Sequence, residues 1–210
     1  MKTIVFQGDS ITDCGRGEHR GSTESIGQGY AMLVAAKLGF EQPGEYTFVN
    51  RGISGNRVVD VYARIKADCW NYNPDVLSLL VGINDVWHEV SNQNGVDVKR
   101  FKKVYSMLVE DTIERFPNIQ MLLLEPFVLK GAAIEENWDT FYTGACERAE
   151  VVRSIAEQYK QIFVPLQKKF DEAQDRFPQP FWIKDGVHPT PAGHQLIANA
   201  WLEAYCKYIK

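Results

Sequence analysis

The sequence lacks the features that define several large classes of protein. Its apolar runs fall far short of the roughly eighteen residues that a membrane-spanning helix needs, and the apolar stretch at the N-terminus is too short for the core of a signal peptide. There is no run of five Lys or Arg residues, and the net charge of -4 provides no basic surface for a nucleic acid. We therefore expect a cytoplasmic protein that binds neither membranes nor nucleic acids.

Metal-binding patterns are also missing. The 4 cysteines show no C-x-x-C spacing, and the 4 histidines form no H-x-H or H-E-x-x-H motif. Zinc sites and metallohydrolases depend on such spacings. We expect no metal and no other cofactor. The cysteines are expected to be free thiols, and Cys14, for which no base is evident, is expected to pack in the interior.

Internal repeats, low-complexity tracts and linkers rich in Pro or Gly are absent as well. A chain of 210 residues with 45% hydrophobic content can bury one sizeable core, so residues 1–210 are expected to form a single domain. Short apolar runs alternate with longer segments of helical period, which is typical of an α/β protein. The runs predict five strands: Thr3–Gln7, Tyr46–Asn50, Asp75–Val81, Ile119–Leu124 and Ile162–Val164.

The predicted third strand is almost entirely apolar, as expected for a strand that is covered on both faces of a parallel sheet. Right-handed crossovers then give a three-layer α/β/α sandwich around a five-stranded parallel sheet. The last helix is predicted to begin with Thr190 as N-cap and Pro191 in its first turn. Its predicted inward face consists of Leu196, Ile197, Ala200, Trp201, Ala204, Tyr205 and Tyr208.

Ligands of such sheets bind beyond the carboxyl ends of the strands, and the polar motifs of this sequence fall there. Ser10 follows the first strand in Gly8-Asp9-Ser10-Ile11-Thr12. A serine hydroxyl becomes a good nucleophile when an oriented base removes its proton, and one turn holds both Asp185 and His188. We predict Ser10 as nucleophile, His188 as base and Asp185 as the acid that orients it. Taken alone, Asp185 also fits a turn or helix-capping role.

Acyl transfer further requires donors for the oxyanion of the tetrahedral intermediate. Three candidates lie in the strand-end loops: the Ser10 N–H, the Gly55 N–H and the side-chain amide of Asn84. At Gly55 the missing Cβ would permit a close backbone approach. Gly55 and Asn84 would each also fit an ordinary turn. Their placement in separate loops, each supplying one required part, favours the catalytic interpretation.

These motifs together resemble those of the SGNH hydrolases of the GDSL esterase/lipase superfamily. The resemblance extends from Ile4 to His194 and implies the flavodoxin-like fold of that superfamily. It also implies the same roles for Ser10, Gly55, Asn84, Asp185 and His188. Ile11 stands where the name-giving motif has leucine, an apolar exchange that we expect to be harmless.

The strings GDSITDCGR, NRGISGNR, GINDVWH and GVHPTPAGH are similar to those of intracellular acetylxylan esterases. This narrower resemblance implies an acetylated sugar or oligosaccharide as substrate and a homo-oligomer. Trp87, just after Asn84, and Trp182, just before Asp185, are candidate substrate-binding residues because aromatic rings line many small-molecule pockets. Packing in the core or at a subunit interface is the alternative for each.

Two other functions fit parts of the sequence. A lysophospholipase or acyl-thioesterase of the same superfamily would need a long apolar channel, and no apolar loop indicates one. A non-catalytic carbohydrate-binding or scaffold protein would have no use for a base behind a serine. Near the motifs, His88 is expected in a loop after Asn84, either in contact with the substrate or simply exposed. His194 is expected as a partly buried hydrogen-bonded residue, and Asp9 as an acid that fixes its loop. The acidic stretch from Glu135 to Asp139 fits a solvated loop, a helix start, a substrate rim or an oligomer contact.

Overall fold

A computed structural model describes residues 1–16 and 26–209 of the chain, so His19 lies outside the described residues. Its five strands form one parallel sheet in the order β2-β1-β3-β4-β5. This is the flavodoxin-like strand order, and the predicted parallel sheet is confirmed. The strands are β1 (Lys2–Gly8), β2 (Tyr46–Asn50), β3 (Val76–Leu80), β4 (Gln120–Leu124) and β5 (Ile162–Val164).

Helices connect the strands and cover both faces of the sheet. Short 3-10 turns occur at Trp70–Tyr72, Glu135–Asn137 and Gln179–Phe181. The α-helices are α1 (Ser10–Asp13), α2 (Tyr30–Glu41), α3 (Val58–Asp68), α4 (Ile83–Asn92), α5 (Val98–Arg115), α6 (Trp138–Gln158), α7 (Gln167–Gln174) and α8 (Pro191–Tyr208).

Alternate strand residues fill two separate cores, as the period of a β-strand requires. Ile4 and Phe6 of β1 join the core beneath α2, α7 and α8, whereas Val5 faces the core beneath α3 and α5. Helix α6 contributes to both, because its first half packs in one core and its second half in the other. The predicted three-layer sandwich is therefore confirmed.

Helix α8 begins as predicted, with the Thr190 side chain accepting a hydrogen bond from the Gly193 N–H and Pro191 in the first turn. The inward face of α8 includes the fully buried Trp201, whose indole N–H donates to the Ser78 hydroxyl within the core. The prediction was wrong at Tyr208, the last residue of α8, which is 57% exposed. No helix in the described part of the chain is long and apolar enough to cross a membrane.

Helix α4 differs from the loop expected after Asn84. The chain turns directly from β3 through Gly82 into a helix that contains both Trp87 and His88. These two side chains are therefore held on a rigid element that begins at the carboxyl end of the central strand.

Candidate active site

The proposed nucleophile lies at the first residue of α1, directly beyond β1. The turn between them requires Gly8, since a Cβ on this residue would lie 2.3 Å from the carbonyl oxygen of Leu80 on the neighbouring strand. Asp9 caps α1 by accepting a hydrogen bond from the Ile11 N–H at 3.0 Å. The expected role of Asp9 in fixing the loop is confirmed.

Ser10, His188 and Asp185 form a continuous hydrogen-bonded line. The Ser10 Oγ lies 2.9 Å from His188 Nε2, and His188 Nδ1 lies 2.7 Å from Asp185 Oδ2. A carboxylate at Nδ1 keeps the proton on that nitrogen and leaves Nε2 to accept the serine proton. The structure thus brings together three residues from opposite ends of the chain in the geometry of a nucleophile, a base and an orienting acid.

Asp185 is held by its own turn. Its second oxygen accepts hydrogen bonds from the Val187 and His188 N–H groups at 2.9 and 2.8 Å. Burial alone would raise the pKa of Asp185, but these hydrogen bonds and the one from the imidazole outweigh it and lower the pKa. The acid is therefore ionised and fixed in place before any substrate arrives.

Gly55 and Asn84 line the same cavity as Ser10. This cavity has a volume of about 400 Å³ and is also lined by Ser54, Trp87, His88, Ser91, Asn92 and His188. The side-chain amide of Asn84 donates to the Asn56 carbonyl at 3.2 Å, which joins the start of α4 to the Gly55 loop. The proposed donors and the proposed nucleophile thus share one cavity.

The backbone conformation gives a reason for glycine at position 55. Apart from its chain neighbours, no atom of residues 1–16 and 26–209 lies within 4 Å of the place where a Cβ would stand, so close packing against these residues does not demand glycine. The backbone instead has a φ of 83°, in the left-handed region that side chains with a Cβ rarely adopt. The left-handed turn sets the direction of the Gly55 N–H.

Two residues that support this loop were missed by the sequence analysis. The carboxylate of Asp13 accepts hydrogen bonds from the N–H and the hydroxyl of Ser54, at 3.0 and 3.1 Å. The Asn50 amide donates to the Thr12 carbonyl at 2.7 Å. These contacts join α1 to the end of β2 and to the loop that follows it, more than thirty residues away in the sequence. No local pattern could have indicated them.

Two carboxyl groups beside the proposed site are buried, and burial raises the pKa of each to about 7. Asp9 is 1% exposed, and hydrogen bonding from Ile11 and the charge of His188 only partly offset its desolvation. Asp85 is fully buried, and both of its oxygens face the Val58 N–H at 3.1 and 3.2 Å. These carboxyls flank Ser10 and Asn84 in the sequence and brace the α1 and α3 helix starts.

The two candidate tryptophans lie in different environments. Trp87 lines the cavity, with its ring centroid 6.2 Å from that of His188 and its edge packed against Phe141. Trp182 is instead a core residue, 5% exposed, whose indole N–H donates to the Phe177 carbonyl at 2.9 Å. Trp182 does not line the cavity, because the chain between it and Asp185 turns its side chain inward beneath α8.

The remaining candidates near the site are structural. His194 is 3% exposed, accepts a hydrogen bond from the Tyr30 N–H at Nδ1, and has Nε2 at 3.2 Å from the Cys14 Sγ. The expected hydrogen bonding of His194 is confirmed, and its burial is deeper than the partial burial expected. Cys14 is partly rather than fully buried, and burial raises the pKa of its thiol. In residues 1–16 and 26–209, no group of three or more His, Cys, Asp or Glu side chains is placed to hold a metal ion.

Comparison with known proteins agrees with this geometry. The sequence model of the GDSL-like lipase/acylhydrolase family matches residues 6–196. The chain is 34% identical over 206 residues to an acetylxylan esterase of Geobacillus stearothermophilus, covering 95% of this chain and 91% of that protein.

Solved structures show the same relationship. A Parabacteroides merdae protein described as a GDSL-like lipase superposes with a TM-score of 0.90 at 41% identity, covering 97% of this chain and 94% of the other. The crystal structure of the G. stearothermophilus acetylxylan esterase superposes with a TM-score of 0.85 at 31% identity, covering 97% and 93%.

The fold and these matches define a carboxylic ester hydrolase with the SGNH hydrolase fold. The chain belongs to the GDSL-like lipase/acylhydrolase family.

Proposed function

We propose that this single-domain protein is a serine esterase that removes acetyl groups from the hydroxyls of sugars or short oligosaccharides. The observation that carries the proposal is the line of hydrogen bonds from Ser10 through His188 to Asp185, opening into a cavity of about 400 Å³. Two structures of the G. stearothermophilus acetylxylan esterase are described as catalytic mutants, one with a serine and the other with an aspartate replaced by alanine. Those descriptions support the same roles for Ser10 and Asp185.

In the proposed reaction, the Ser10 oxygen attacks the carbonyl carbon of the acetyl ester while His188 takes the serine proton. The N–H groups of Ser10 and Gly55 and the amide of Asn84 stabilise the negative oxygen that develops. His188 then gives its proton to the departing sugar oxygen, which leaves as a hydroxyl, and an acetyl-Ser10 ester remains. A water molecule, deprotonated by His188, attacks this ester, and His188 returns the proton to the Ser10 oxygen as acetate leaves. Asp185 holds the imidazole in the required orientation throughout.

The cavity lining favours a polar alcohol and a short acyl group. Among its nine described lining residues, Trp87 is the one large apolar side chain, whereas a long acyl chain would need an extended apolar surface. His88 also lines this cavity, close enough to Asp60 for an electrostatic interaction, and its imidazole makes no hydrogen bond within the described chain. A sugar hydroxyl in the cavity is therefore a suitable partner for it. These features favour an acetylated sugar over the lysophospholipase and thioesterase alternatives.

The test combines labelling with a substrate comparison. A fluorophosphonate should label the wild type and fail to label Ser10→Ala, and this variant should lose about 10⁶ in kcat on p-nitrophenyl acetate. Retention of more than about one per cent of the activity by folded Ser10→Ala would refute the Ser10 mechanism. The wild type should release acetate from acetylated xylose and xylo-oligosaccharides. Preference for p-nitrophenyl palmitate over these esters would favour the lipid-directed alternative instead.

We also propose a homo-oligomeric assembly. Phe177 and Phe181 lie side by side, with ring centroids 4.9 Å apart, and are 56% and 49% exposed. Adjacent exposed aromatic rings are typical of surfaces that become buried in assemblies. Size-exclusion chromatography with light scattering should give a mass at least twice the chain mass of 23.9 kDa. A monomer at all concentrations would refute the assembly.

A further inference from the structure

The guanidinium of Arg64 lies where the loops that carry the three proposed oxyanion donors meet. Arg64 belongs to α3, and its side chain is 16% exposed. Its Nη2 donates to the Gly8 carbonyl at 3.2 Å, and its Nε donates to the Asn56 side-chain oxygen at 2.7 Å. Its Nη1 donates to the Arg51 carbonyl at 2.8 Å and to Asp68 at 2.9 Å.

Two of these contacts, to Gly8 and Asn56, lie close in sequence to a proposed donor. Gly8 precedes Ser10 by two residues, and Asn56 directly follows Gly55. The carbonyl of Asn56 in turn accepts the hydrogen bond from the Asn84 amide. One rigid planar group therefore fixes the spacing between the end of β1, the Gly55 turn and the start of α4.

We propose that Arg64 is a positioning residue that holds the Gly55–Asn56 turn and Asn84 in register with Ser10. This inference rests on the proposed function of that site. The role requires several donors directed from a single plane, which a guanidinium provides and an ammonium does not. Arg64 does not line the cavity, so it acts on the reaction through the loops and makes no contact with the substrate.

Arg51 provides a matched control. Its guanidinium pairs with the same carboxylate, Asp68, and lies over the Tyr72 ring, but its side chain makes no hydrogen bond to Gly8 or Asn56 in the described chain. Replacing Arg51 therefore disturbs the ion pair while leaving the proposed positioning contacts in place. Comparison of Arg64→Met with Arg51→Met separates the two effects.

The experiment measures kcat and KM on p-nitrophenyl acetate. Arg64→Met should lower kcat by about 10- to 100-fold with KM within about threefold, since misplacing catalytic donors by about 1 Å costs up to about 10² in rate. Arg64→Lys should recover part of the loss, and Arg51→Met should stay within about threefold of wild type. Equal losses in Arg64→Met and Arg51→Met would overturn the proposal.

A double-mutant cycle adds a readout that general destabilisation would not produce. In an Asn84→Ala background, Arg64→Met should cost clearly less than its effect of about 10- to 100-fold in the wild type, because one of the two donors that it positions is already absent. A full additional loss would overturn the proposal. If Arg64→Met does not fold, Asn56→Ala removes the same contact from the other side, and an unchanged kcat in that variant would overturn it as well.

The Ser10→Ala variant, assayed alongside, keeps the two proposals distinguishable. An active Ser10→Ala means that the proposed function itself fails. An inactive Ser10→Ala together with wild-type rates in Arg64→Met means that only the positioning role fails.

Discussion

His194 should make the protein less stable in acid, by an amount that follows from its surroundings. Burial, assisted by the charges of Lys184 and His188, lowers the pKa of His194 from 6.5 to about 4. Its Nδ1 already accepts the Tyr30 N–H, so a proton there would break a buried hydrogen bond. Below pH 6.5 the unfolded chain binds a proton at this imidazole, whereas the folded protein does not bind it until about pH 4.

Stability contributed by neutral His194 is therefore present above pH 6.5 and is lost as the pH falls towards 4. Each pH unit in this window corresponds to about 1.4 kcal/mol, so the whole shift amounts to about 3 kcal/mol. In His194→Asn the side-chain oxygen can still accept the Tyr30 N–H, but it cannot titrate. The cost of the lost ring volume is independent of pH.

The assay is urea unfolding followed by tryptophan fluorescence at several pH values between 4.5 and 8. The unfolding free energy of the wild type minus that of His194→Asn should be constant above pH 6.5. Below pH 6.5 this difference should fall by about 1.4 kcal/mol per pH unit, because only the wild type loses stability through residue 194. Other titrating groups cancel in this difference as long as they do not contact residue 194. A difference that does not change between pH 7 and 5 would refute the reasoning.

Two further predictions concern Asp85 and the tryptophans. The pKa of Asp85 is raised from 3.8 to about 7, so its effect on stability has the opposite pH dependence to that of His194. Relative to Asp85→Asn, the wild type should gain up to about 4 kcal/mol in unfolding free energy as the pH falls from 7 to 4. A gain in unfolding free energy on raising the pH would contradict the burial of Asp85 as a neutral acid. Trp87→Ala should lower kcat/KM at least tenfold on an acetylated xyloside with a smaller loss on p-nitrophenyl acetate, whereas Trp182→Ala should lower the melting temperature and affect both substrates equally. A selective loss on the sugar ester in Trp182→Ala would contradict its placement in the core.

The elements that could be predicted from the sequence are those with a strong local signal. The strands at Tyr46–Asn50 and Ile162–Val164 have the predicted bounds. The first and third strands differ from the prediction by one residue at each end, and the fourth differs by one residue at its start. Thr190 and Pro191 correctly marked the start of α8 because capping and proline preferences act within one turn. Helix α4 was missed because it starts within the Gly-Ile-Asn-Asp motif, with Gly82 as its N-cap, and Gly, Asn and Asp also favour turns.

In the candidate site too, local features could be predicted from the sequence and long-range contacts could not. The turn that holds Asp185 and His188 is local in sequence, so the pairing of acid and base could be predicted from their spacing. The contacts of Arg64 and Asp13 could not, because each depends on how separate strand-end loops pack against one another. Trp182 shows the opposite error: it is a neighbour of Asp185 in sequence, yet the backbone turns its side chain into the core.

The segment that carries the proposed acid and base is tied at both ends. Ile183 and Pro189 form an isolated bridge, with the Lys184 N–H donating to the His188 carbonyl at 2.9 Å, and the Thr190 N–H donates to the Trp182 carbonyl at 2.9 Å. These hydrogen bonds close a small loop that is anchored at the buried residue Trp182. The amide protons of Lys184 and Thr190 should therefore exchange with deuterated solvent only when this loop opens. The proposed general base would then sit on one of the more slowly exchanging loops of the surface.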